Sequence, residues 1–564
     1  MRRYLRSITI ICLTTVLFSA CSKIPDHAKY IPKDAIVVAG VNLKSLGKKI
    51  AWNVLTGSKL FKEMEQRMPD KNAKDAMGGL EHAGIDGANT FYVYVKTDKR
   101  FTGGNRVTAL VPLSDAGEWE AFVKKTFPNA TIKQHGDRKE ASLAKGMYAG
   151  WNSKLMIVIN VLPNPADYYN PQAMMTQSTG DSTAPAPSQV DDNTMAAEMD
   201  NAFGVTKENS IIENKRFTEL EGEGHDISFW MNYDVLVSQY MSENMSEKMG
   251  GLSISSALWK DAAAASGIDF KQGKITGDSK YYMSDELKDI CKELGGTNAD
   301  KDMIQRMPSQ NMDMMMAFHL SPKGLKAILE KTGMLGYANI ALMTQNINAD
   351  YVLDAFTGDM AISVNDLSMK SEMRTDSMNG VAFSHADMKP SLSVTYTLKI
   401  NKKENFNKLF GMLNESGMLQ PMGANTYVFP MGEHDSAYVM INDQYAVVSN
   451  KQAYASGFLA GTFKSQKMTD AASSTINDHV FSWFLDVQQA AKGIDPGITQ
   501  SAHDSVILAE SKKLLSNVSF SGGAFKGNAF EYHMEINFMN TEENSIIQLL
   551  DFGMKINDAT KTGN

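Results

Sequence analysis

Cysteine is scarce in this sequence, with three among 564 residues. Cys12 and Cys21 lie within or directly after a hydrophobic N-terminal segment, which leaves Cys291 as the single cysteine of the remaining chain. One cysteine cannot form an intramolecular disulfide, so the fold must depend on its hydrophobic core. Hydrophobic residues make up 43% of the chain, which is ample for packed cores, and the length suggests roughly two to four domains.

Long hydrophobic runs, basic blocks and common catalytic motifs are also missing. No segment after the N-terminus approaches the roughly 20 consecutive apolar residues of a transmembrane helix, so we predict none. The formal net charge is −8, and the lack of a basic block argues against nucleic acid as a partner. There is no G-x-S-x-G elbow, no H-E-x-x-H pair, no P-loop and no dinucleotide-binding fingerprint. These absences point away from the enzyme classes that such motifs identify.

The N-terminus has the layout of a secretory signal peptide. Residues 1–6 form a basic segment, residues 8–18 are mostly apolar, and the small residues Ser19 and Ala20 precede Cys21. The apolar stretch is too short to span a bilayer and fits the hydrophobic region of a signal peptide. We therefore predict a signal peptide over residues 1–20. Its removal leaves 53 basic and 64 acidic residues, a net charge of −11.

Residues 17–21, LFSAC, resemble the lipobox of bacterial lipoproteins, although Phe18 stands where the commonest pattern has leucine. The resemblance implies that the Cys21 thiol receives diacylglycerol and that the new N-terminus is acylated. Several acyl chains make an anchor stable, whereas a single chain is marginal. Because Ser22 is not the aspartate that retains many lipoproteins at the inner membrane, and no acidic run follows it, we expect the periplasmic face of the outer membrane rather than the cell surface. Residues 21–33 would then be a tether. The alternative is ordinary signal cleavage with an incidental cysteine.

Self-similarity organises the rest of the chain. Six pairs of segments match in the same order, and their separations change only at loops. The pairs are IVVAGVNLKSL with MMMAFHLSPKGL (277 residues apart), TFYVYV with DMAISV (269), VTALVPLSDAGEWEAF with VTYTLKINKKENFNKL (287), MYAGWNSKLMIVIN with AYVMINDQYAVVSN (290), HDISFWMNYDVLV with HVFSWFLDVQQAA (254), and KITGDSKYYM with FKGNAFEYHM (250). We therefore predict an internal duplication, with copy 1 over residues 34–290 and copy 2 over residues 310–552.

Each copy combines alternating strands with amphipathic helices, which predicts an α+β architecture. We expect two homologous copies of a mixed, largely antiparallel sheet with helices packed on one face. The first copy holds 36 additional residues between two matched segments, and residues 163–201 are rich in Pro, Ser, Thr, Asn and Asp. Such a composition favours disorder, so a disordered insertion is predicted over residues 163–212. Residues 553–564 are predicted to be a polar tail.

Three clusters could hold a metal, and two of them have a more ordinary interpretation. Alternation places Glu531, His533 and Glu535 on one strand face, as a metal site would require, but such a stripe is more often the solvated face of a strand. Residues 433–435, Glu-His-Asp, form a similar short cluster. The methionines at 312, 314, 315 and 316 could bind a soft metal, but methionine also fills hydrophobic cores. We therefore assign no metal and no cofactor.

The remaining conspicuous residues also favour structural roles. Cys291 is interpreted as a buried small apolar residue rather than a nucleophile. His225 and His479 begin matched strands, and Trp230 and Trp483 follow them as expected core anchors of the two copies. No catalytic or cofactor-binding residue is predicted, and lipidation of Cys21 is the single site assignment.

Residues 30–35, YIPKDA, follow the lipobox and a short tether, and the next strand ends at VNLKSL. This arrangement resembles a family of large Bacteroidota lipoproteins that is grouped as a domain of unknown function. The resemblance implies a cell-envelope lipoprotein of a gut or oral anaerobe, and it supplies no catalytic residues. The duplication favours a non-enzymatic binding or structural module whose partners are the membrane, through the anchor, and an unknown envelope protein or ligand. The alternative is a hydrolase of an envelope polymer or glycan that uses a pair of carboxylates.

Overall fold

The computed structural model describes residues 24–50, 82–97, 105–144, 146–162, 192–238, 256–378, 381–431, 436–494 and 502–562. The predicted signal peptide, Cys21, residues 433–435 and most of the predicted insertion lie outside the described residues. The chain forms two compact units: unit 1 comprises residues 1–244 and 261–269, and unit 2 comprises residues 245–260 and 270–564. Within the described part of the chain, we find no helix long and apolar enough to cross a membrane.

Unit 1 combines helices with antiparallel strands. Its strands are β1 (Val37–Asn42), β2 (Thr90–Thr97), β3 (Asn105–Pro112), β4 (Lys133–His135), β5 (Arg138–Ala144), β6 (Met147–Trp151), β7 (Leu155–Leu162), β8 (Ile227–Asn232) and β9 (Ala263–Lys271). Its helices are α1 (Leu43–Lys49), α2 (Ala116–Thr126), α3 (Asp192–Phe203) and α4 (Lys215–Glu223). The strands pair in the order β4-β5-β6-β7-β3-β2-β1-β8-β9, each pair antiparallel.

Unit 2 repeats this order of pairing. Its strands are β10 (Lys274–Tyr282), β11 (Met312–His319), β12 (Phe356–Met378), β13 (Val381–Ile400), β14 (Gln420–Gly423), β15 (Thr426–Pro430), β16 (Ser436–Ile441), β17 (Tyr445–Ser449), β18 (Phe481–Asp486), β19 (Leu515–Lys526) and β20 (Ala529–Phe538). They pair antiparallel in the order β14-β15-β16-β17-β13-β12-β11-β18-β19-β20-β10. The first nine strands of this order, β14 through to β19, match the nine strands of unit 1 one by one. The label of each is ten higher than that of its counterpart in unit 1.

The helices of unit 2 connect these strands and continue to the end of the described chain. They are α5 (Lys288–Leu294), α6 (Lys301–Gln305), α7 (Pro322–Lys331), α8 (Met334–Met343), α9 (Ala349–Asp354), α10 (Lys403–Glu415), α11 (Gln452–Ala460), α12 (Asp470–Ile476), α13 (Val487–Lys492), α14 (Ala502–Leu514) and α15 (Ser545–Thr562). The expected mixture of helices with antiparallel sheet is therefore confirmed.

The strand registers of the two units agree with the sequence separations. Val37 pairs with Val95 in unit 1, and Met314 pairs with Val364 in unit 2. Met314 follows Val37 by 277 positions and Val364 follows Val95 by 269, the separations of the matched segments. The residue that pairs with β11 in β18 follows the residue that pairs with β1 in β8 by 254 positions, as the matched segments do. Likewise, paired residues of β13 and β17 follow paired residues of β3 and β7 by 287 and 290 positions. A slip of one residue would move every side chain of a strand to the opposite face of the sheet. Because the registers agree, matched residues of the two units lie on corresponding faces of their sheets.

Strands β1, β8, β11 and β18 each lead into a helix through the same local device, and the helix after β8 covers residues 233–238. After β1, β8, β11 and β18, a short polar side chain accepts a hydrogen bond from the backbone N–H three residues later. This N-cap satisfies a donor that the first turn of a helix leaves unpaired. The bonds join Asn42 to Ser45, Asn232 to Val235, Ser321 to Gly324, and Asp486 to Gln489.

The core positions follow strand alternation and correct one tryptophan assignment. Trp230 is buried, and its ring meets the edge of Phe217 at 6.1 Å between centroids. Trp483 is only partly buried, so its prediction as a core anchor is wrong. Phe484, which follows Trp230 by 254 positions, takes the buried place in unit 2. Since adjacent strand residues face opposite sides, Trp483 lies on the other face, where it corresponds to Phe229.

Apart from Trp483, the structure agrees with the predictions for single buried residues and differs from several predicted segment boundaries. Cys291 is buried, as predicted, and Met312 and Met315 belong to the core of unit 2. Residues 192–203 form α3 and bury Met195 and Met199, so the predicted disorder does not extend over this part. Residues 553–562 continue α15 instead of forming a tail. Residues 270–290 belong to unit 2 rather than to the end of the first compact unit, and β10 within them pairs with β20.

Candidate functional site

Two cavities lie in unit 1, where α3 and α4 meet the strands. The first, which we call the ionic cavity, has a volume of about 490 Å³, and its charged and phenolic lining consists of Lys33, Asp34, Tyr94, Lys96, Arg106 and Glu198. The second, which we call the acid cavity, has a volume of about 300 Å³ and is lined by residues that include Gly40, Asn42, Thr90, Glu221, His225 and Ser228. Both volumes suit small molecules or their terminal groups.

A buried ion pair forms the inner wall of the ionic cavity. Alternation along β3 directs Arg106 and Thr108 to the buried face, and α3 brings Glu198 against the Arg106 guanidinium. The two charged side chains are 6% and 8% exposed. Removing both charges from water is costly, and the pair stays stable only while both partners are present. The pair therefore fixes α3 on the strands and keeps the inner wall polar.

The rim of the ionic cavity carries further charges. Lys96 Nζ lies 2.7 Å from the Asp34 carboxylate, and both side chains are partly exposed. Lys33 Nζ donates to the Glu208 carbonyl at 3.3 Å in an exposed position. Burial raises the pKa of the Tyr94 hydroxyl to about 12, so this hydroxyl stays a neutral hydrogen-bonding group. Three cationic side chains thus face two carboxylates across the lining, an excess of positive charge that favours a ligand with a carboxylate or phosphate group.

A hydrogen-bonded carboxyl group dominates the acid cavity. Tyr92 Oη donates to Glu221 Oε2 at 2.5 Å, and Ser228 Oγ donates to Glu221 Oε1 at 2.5 Å. Burial raises the pKa of Glu221 above its usual value despite these two donors. Gly40 permits this approach, because a Cβ at position 40 would overlap Ser228 Oγ and lie 3.0 Å from the Tyr92 ring. The result is a carboxyl group that takes up a proton more readily than an exposed one.

His225 lies at the same cavity between two other carboxylates. Its Nδ1 is 3.0 Å from Asp269 Oδ2, and its Nε2 is 2.9 Å from Glu223 Oε2. Burial lowers the pKa of His225, but the hydrogen bonds to Glu223 and Asp269 outweigh burial and raise the pKa above its usual value. Gly267 makes room, since a Cβ there would overlap the imidazole ring.

These contacts do not form a nucleophile–base relay. A serine nucleophile must give its proton to a neighbouring base, yet the Ser228 hydroxyl donates to Glu221 instead of His225. Both ring nitrogens of His225 face carboxylates. The arrangement can bind polar groups and take up protons, which suits recognition or acid–base chemistry rather than acyl transfer.

The predicted strand-face cluster is occupied by ion pairs. His533 Nδ1 lies 2.8 Å from Asp278 Oδ1, and its Nε2 lies 3.3 Å from Glu535 Oε1. The Glu535 carboxylate also receives Lys274 Nζ at 2.7 Å, and Glu531 lies 3.7 Å from Lys526. Alternation correctly brings His533 and Glu535 together, but lysines already neutralise the carboxylates, which favours the interpretation as a solvated strand face.

Another acidic cluster lies in unit 1 and was not singled out in the sequence. His135, Glu140 and Asp200 bring one ligand atom each to within 4.8 Å of one another. Arg138 Nε donates to Glu140 at 2.6 Å, and its guanidinium also donates to Asp200. Because this guanidinium already supplies positive charge to both carboxylates, the cluster is a salt bridge network rather than a cation site.

Sequence reasoning missed most residues of the two cavities. Arg106 left a signal, because it occupies an inward position of an alternating strand next to apolar neighbours. Glu198 left none, since it lies in a segment whose composition favours disorder. Glu221 lies on an amphipathic helix among several acidic residues, and nothing in the sequence distinguishes it from them. Cys21 lies outside the described residues.

No protein-family model matches this sequence. No curated protein matches it either. Among solved structures, crystal form III of TP0453 is similar with a TM-score of 0.25 and 6% identity, over 49% of this chain and 89% of that chain. Crystal form IV of TP0453 gives a TM-score of 0.24 with 8% identity over 45% of this chain and 79% of that chain, and crystal form I gives 0.24 with 6% identity over 49% and 88%.

Proposed function

We propose that this chain is a lipid-anchored cell-envelope protein that binds a small polar ligand and performs no catalysis. The anchor is Cys21, exposed after removal of residues 1–20, and the location is the periplasmic face of the outer membrane. Support for the anchor comes from the LFSAC motif, the signal-peptide layout and the YIPKDA resemblance to Bacteroidota lipoproteins.

The body of the protein is an internal duplication with helices packed on one face of each sheet. The support for this proposal is that the strand order of unit 1 recurs in unit 2 and that the strand registers agree with the separations of the matched segments. Register depends on every residue of a strand pair. Independent origins would have no reason to reproduce it in several pairs.

The ionic cavity is the single observation that carries the binding role. Its buried Arg106–Glu198 pair gives a fixed polar wall, and the rim adds Lys33 and Lys96 beside one carboxylate. A ligand with a carboxylate or phosphate group can neutralise the excess positive charge of the lining. A binding protein needs no nucleophile–base pair, in agreement with the hydrogen bonds of Ser228 and His225.

The binding role is tested by thermal unfolding with three probes: inorganic phosphate, acetate and glucose. Because a ligand that binds the folded state stabilises it, phosphate and acetate should raise the unfolding midpoint, whereas glucose should not. Lys96→Met should remove this effect. Lys124→Met, a change on the exposed side of α2, should retain it. Equal responses of both variants to phosphate and acetate would contradict binding in the ionic cavity.

The anchor is tested by fractionation. Cys21→Ser should move the protein from the membrane fraction to the soluble fraction, and Cys291→Ser should leave it in the membrane. Continued sedimentation of the Cys21→Ser protein with membranes would reject the lipid anchor.

A second candidate, an envelope or glycan hydrolase, is favoured by the raised pKa of Glu221. Glycosidases use a carboxylic acid of raised pKa and a second carboxylate about 5–10 Å away. Two carboxylates near the acid cavity, Glu223 and Asp269, bind His225, which weakens this candidate. Incubation with purified peptidoglycan distinguishes the two: release of reducing ends that disappears in Glu221→Gln would favour the hydrolase, and no release supports binding.

A further inference from the structure

Helix α8 of unit 2 is apolar and yet has no buried residue. Its sequence, MLGYANIALM, contains no charged side chain, and no charged residue occurs anywhere in residues 332–349. Charged residues make up 21% of the chain, so an uncharged stretch of this length on an accessible helix needs an explanation. A helix that is apolar on all sides normally lies inside a protein or in a membrane.

The outward face of α8 carries large hydrophobic side chains. Tyr337, Ile340 and Met343 are 54%, 66% and 67% exposed, and Met334 is 37% exposed. The opposite face is attached to the protein, since Asn339 Oδ1 accepts a 2.8 Å hydrogen bond from the Ala349 N–H. The helix is therefore held in place with a hydrophobic stripe directed away from the unit.

We propose that α8 docks into the headgroup region of the lipid bilayer to which the chain is anchored. This inference rests on the proposed lipid anchor, which would hold the chain at a bilayer. A helix of ten residues is about 15 Å long, too short to span a bilayer, so α8 lies along the surface with its hydrophobic stripe inserted. Tyr337 suits this depth, because its ring is apolar and its hydroxyl reaches water.

The size of the stripe favours a bilayer over a protein partner. If a large side chain has on the order of 200 Å² of surface, the four exposed side chains offer roughly 450 Å². A stable protein interface buries about 800 Å² on each partner and surrounds its centre with a polar rim. Insertion into a bilayer requires neither, and an uncharged face enters lipid without the cost of desolvating charges.

The test uses the full lipidated chain with Ile340→Cys, labelled with an environment-sensitive fluorophore. The native thiols do not compete, since Cys291 is buried and Cys21 would carry lipid. The protein is reconstituted into vesicles of phosphatidylethanolamine and phosphatidylglycerol, with and without nitroxide-labelled lipid. Asp443→Cys, at a turn position with an 82% exposed side chain in the same unit, is the matched control.

The expected result is quenching by nitroxide lipid at position 340, several-fold stronger than at position 443 and unchanged by high salt, because α8 carries no charge. Equal quenching at the two positions would overturn the proposal. A blue shift at 340 that grows with protein density, without nitroxide quenching, would indicate contact between copies and would also overturn it. Failure of the anchor is seen separately, as protein that does not sediment with the vesicles.

Discussion

The Tyr92 hydroxyl donates a 2.5 Å hydrogen bond to the Glu221 carboxyl group, which joins β2 to α4 across 129 residues of sequence. Burial raises the pKa of Glu221 above its ordinary value of 4.5 and, together with the Glu221 charge, raises the pKa of Tyr92. Both groups of this pair therefore hold their protons more tightly than exposed side chains of the same type do. The free energy of unfolding of unit 1 must therefore depend on pH.

Glu221→Gln should remove a pH dependence of stability. Because the folded state binds a proton at Glu221 more tightly than the unfolded state, the stabilisation is present below pH 4.5 and is lost as pH rises through the higher folded pKa. The wild-type free energy of unfolding should fall over that interval, and the Glu221→Gln protein should show a smaller fall. Hydrogen exchange of β2 amides across this pH range measures the difference.

Glu219→Gln is the control for this measurement. Glu219 lies on the same helix in an exposed position. Its replacement should leave the pH dependence of β2 exchange as in the wild type. A Glu221→Gln protein with the full wild-type pH dependence would show that Glu221 does not carry the effect.

Breaking the buried ion pair should destabilise unit 1. Glu198→Gln leaves the Arg106 charge buried without its carboxylate, at a cost of about 3–5 kcal/mol. The double variant Arg106→Met with Glu198→Leu removes both charges and should be more stable than Glu198→Gln. Hydrogen exchange of β3 and α3 peptides measures both. A double variant as unstable as the single one would show that lost packing, rather than the unpaired charge, dominates.

Two glycine substitutions in unit 1 should have opposite outcomes. Gly40→Ala forces a methyl group against Ser228 and the Tyr92 ring, which should lower the free energy of unfolding by about 1–3 kcal/mol. Gly222 lies on α4, and a Cβ added there meets no atom within 4 Å apart from its chain neighbours and the backbone of its own helix. Gly222→Ala should be neutral or stabilise the helix by up to about 1 kcal/mol. Urea unfolding compares them, and a neutral Gly40→Ala would contradict the close packing around Ser228.

Cys291 should resist alkylation in the folded protein. Its side chain is buried, and burial raises the pKa of its thiol to about 11. The thiolate is the reactive form, so iodoacetamide at pH 8 should label Cys291 slowly until urea unfolds unit 2. The accessible thiol of Asp443→Cys should react rapidly under the same native conditions. Mass spectrometry measures the labelling. Rapid labelling of Cys291 in the folded protein would contradict its role as a buried apolar residue.

Local patterns predicted the strands and many of their relations. Alternation identified β2 and β13 as strands, and the separations of the matched segments agree with the registers that the two units share. Local composition was a poorer guide for α3, where polar residues surround a stripe of buried methionines, and for Trp483, one residue away from the buried position.

The sequence by itself determined the α+β class and the order of the strands along the chain, because these depend on the period of the side chains. Only the tertiary structure decided which charges meet. Tyr92 reaches Glu221, and Arg106 reaches Glu198, through folding that joins distant segments and excludes water from their contacts. Burial and proximity set the proton affinity and binding capacity of these groups, and neither is encoded in the spacing of residues along the chain.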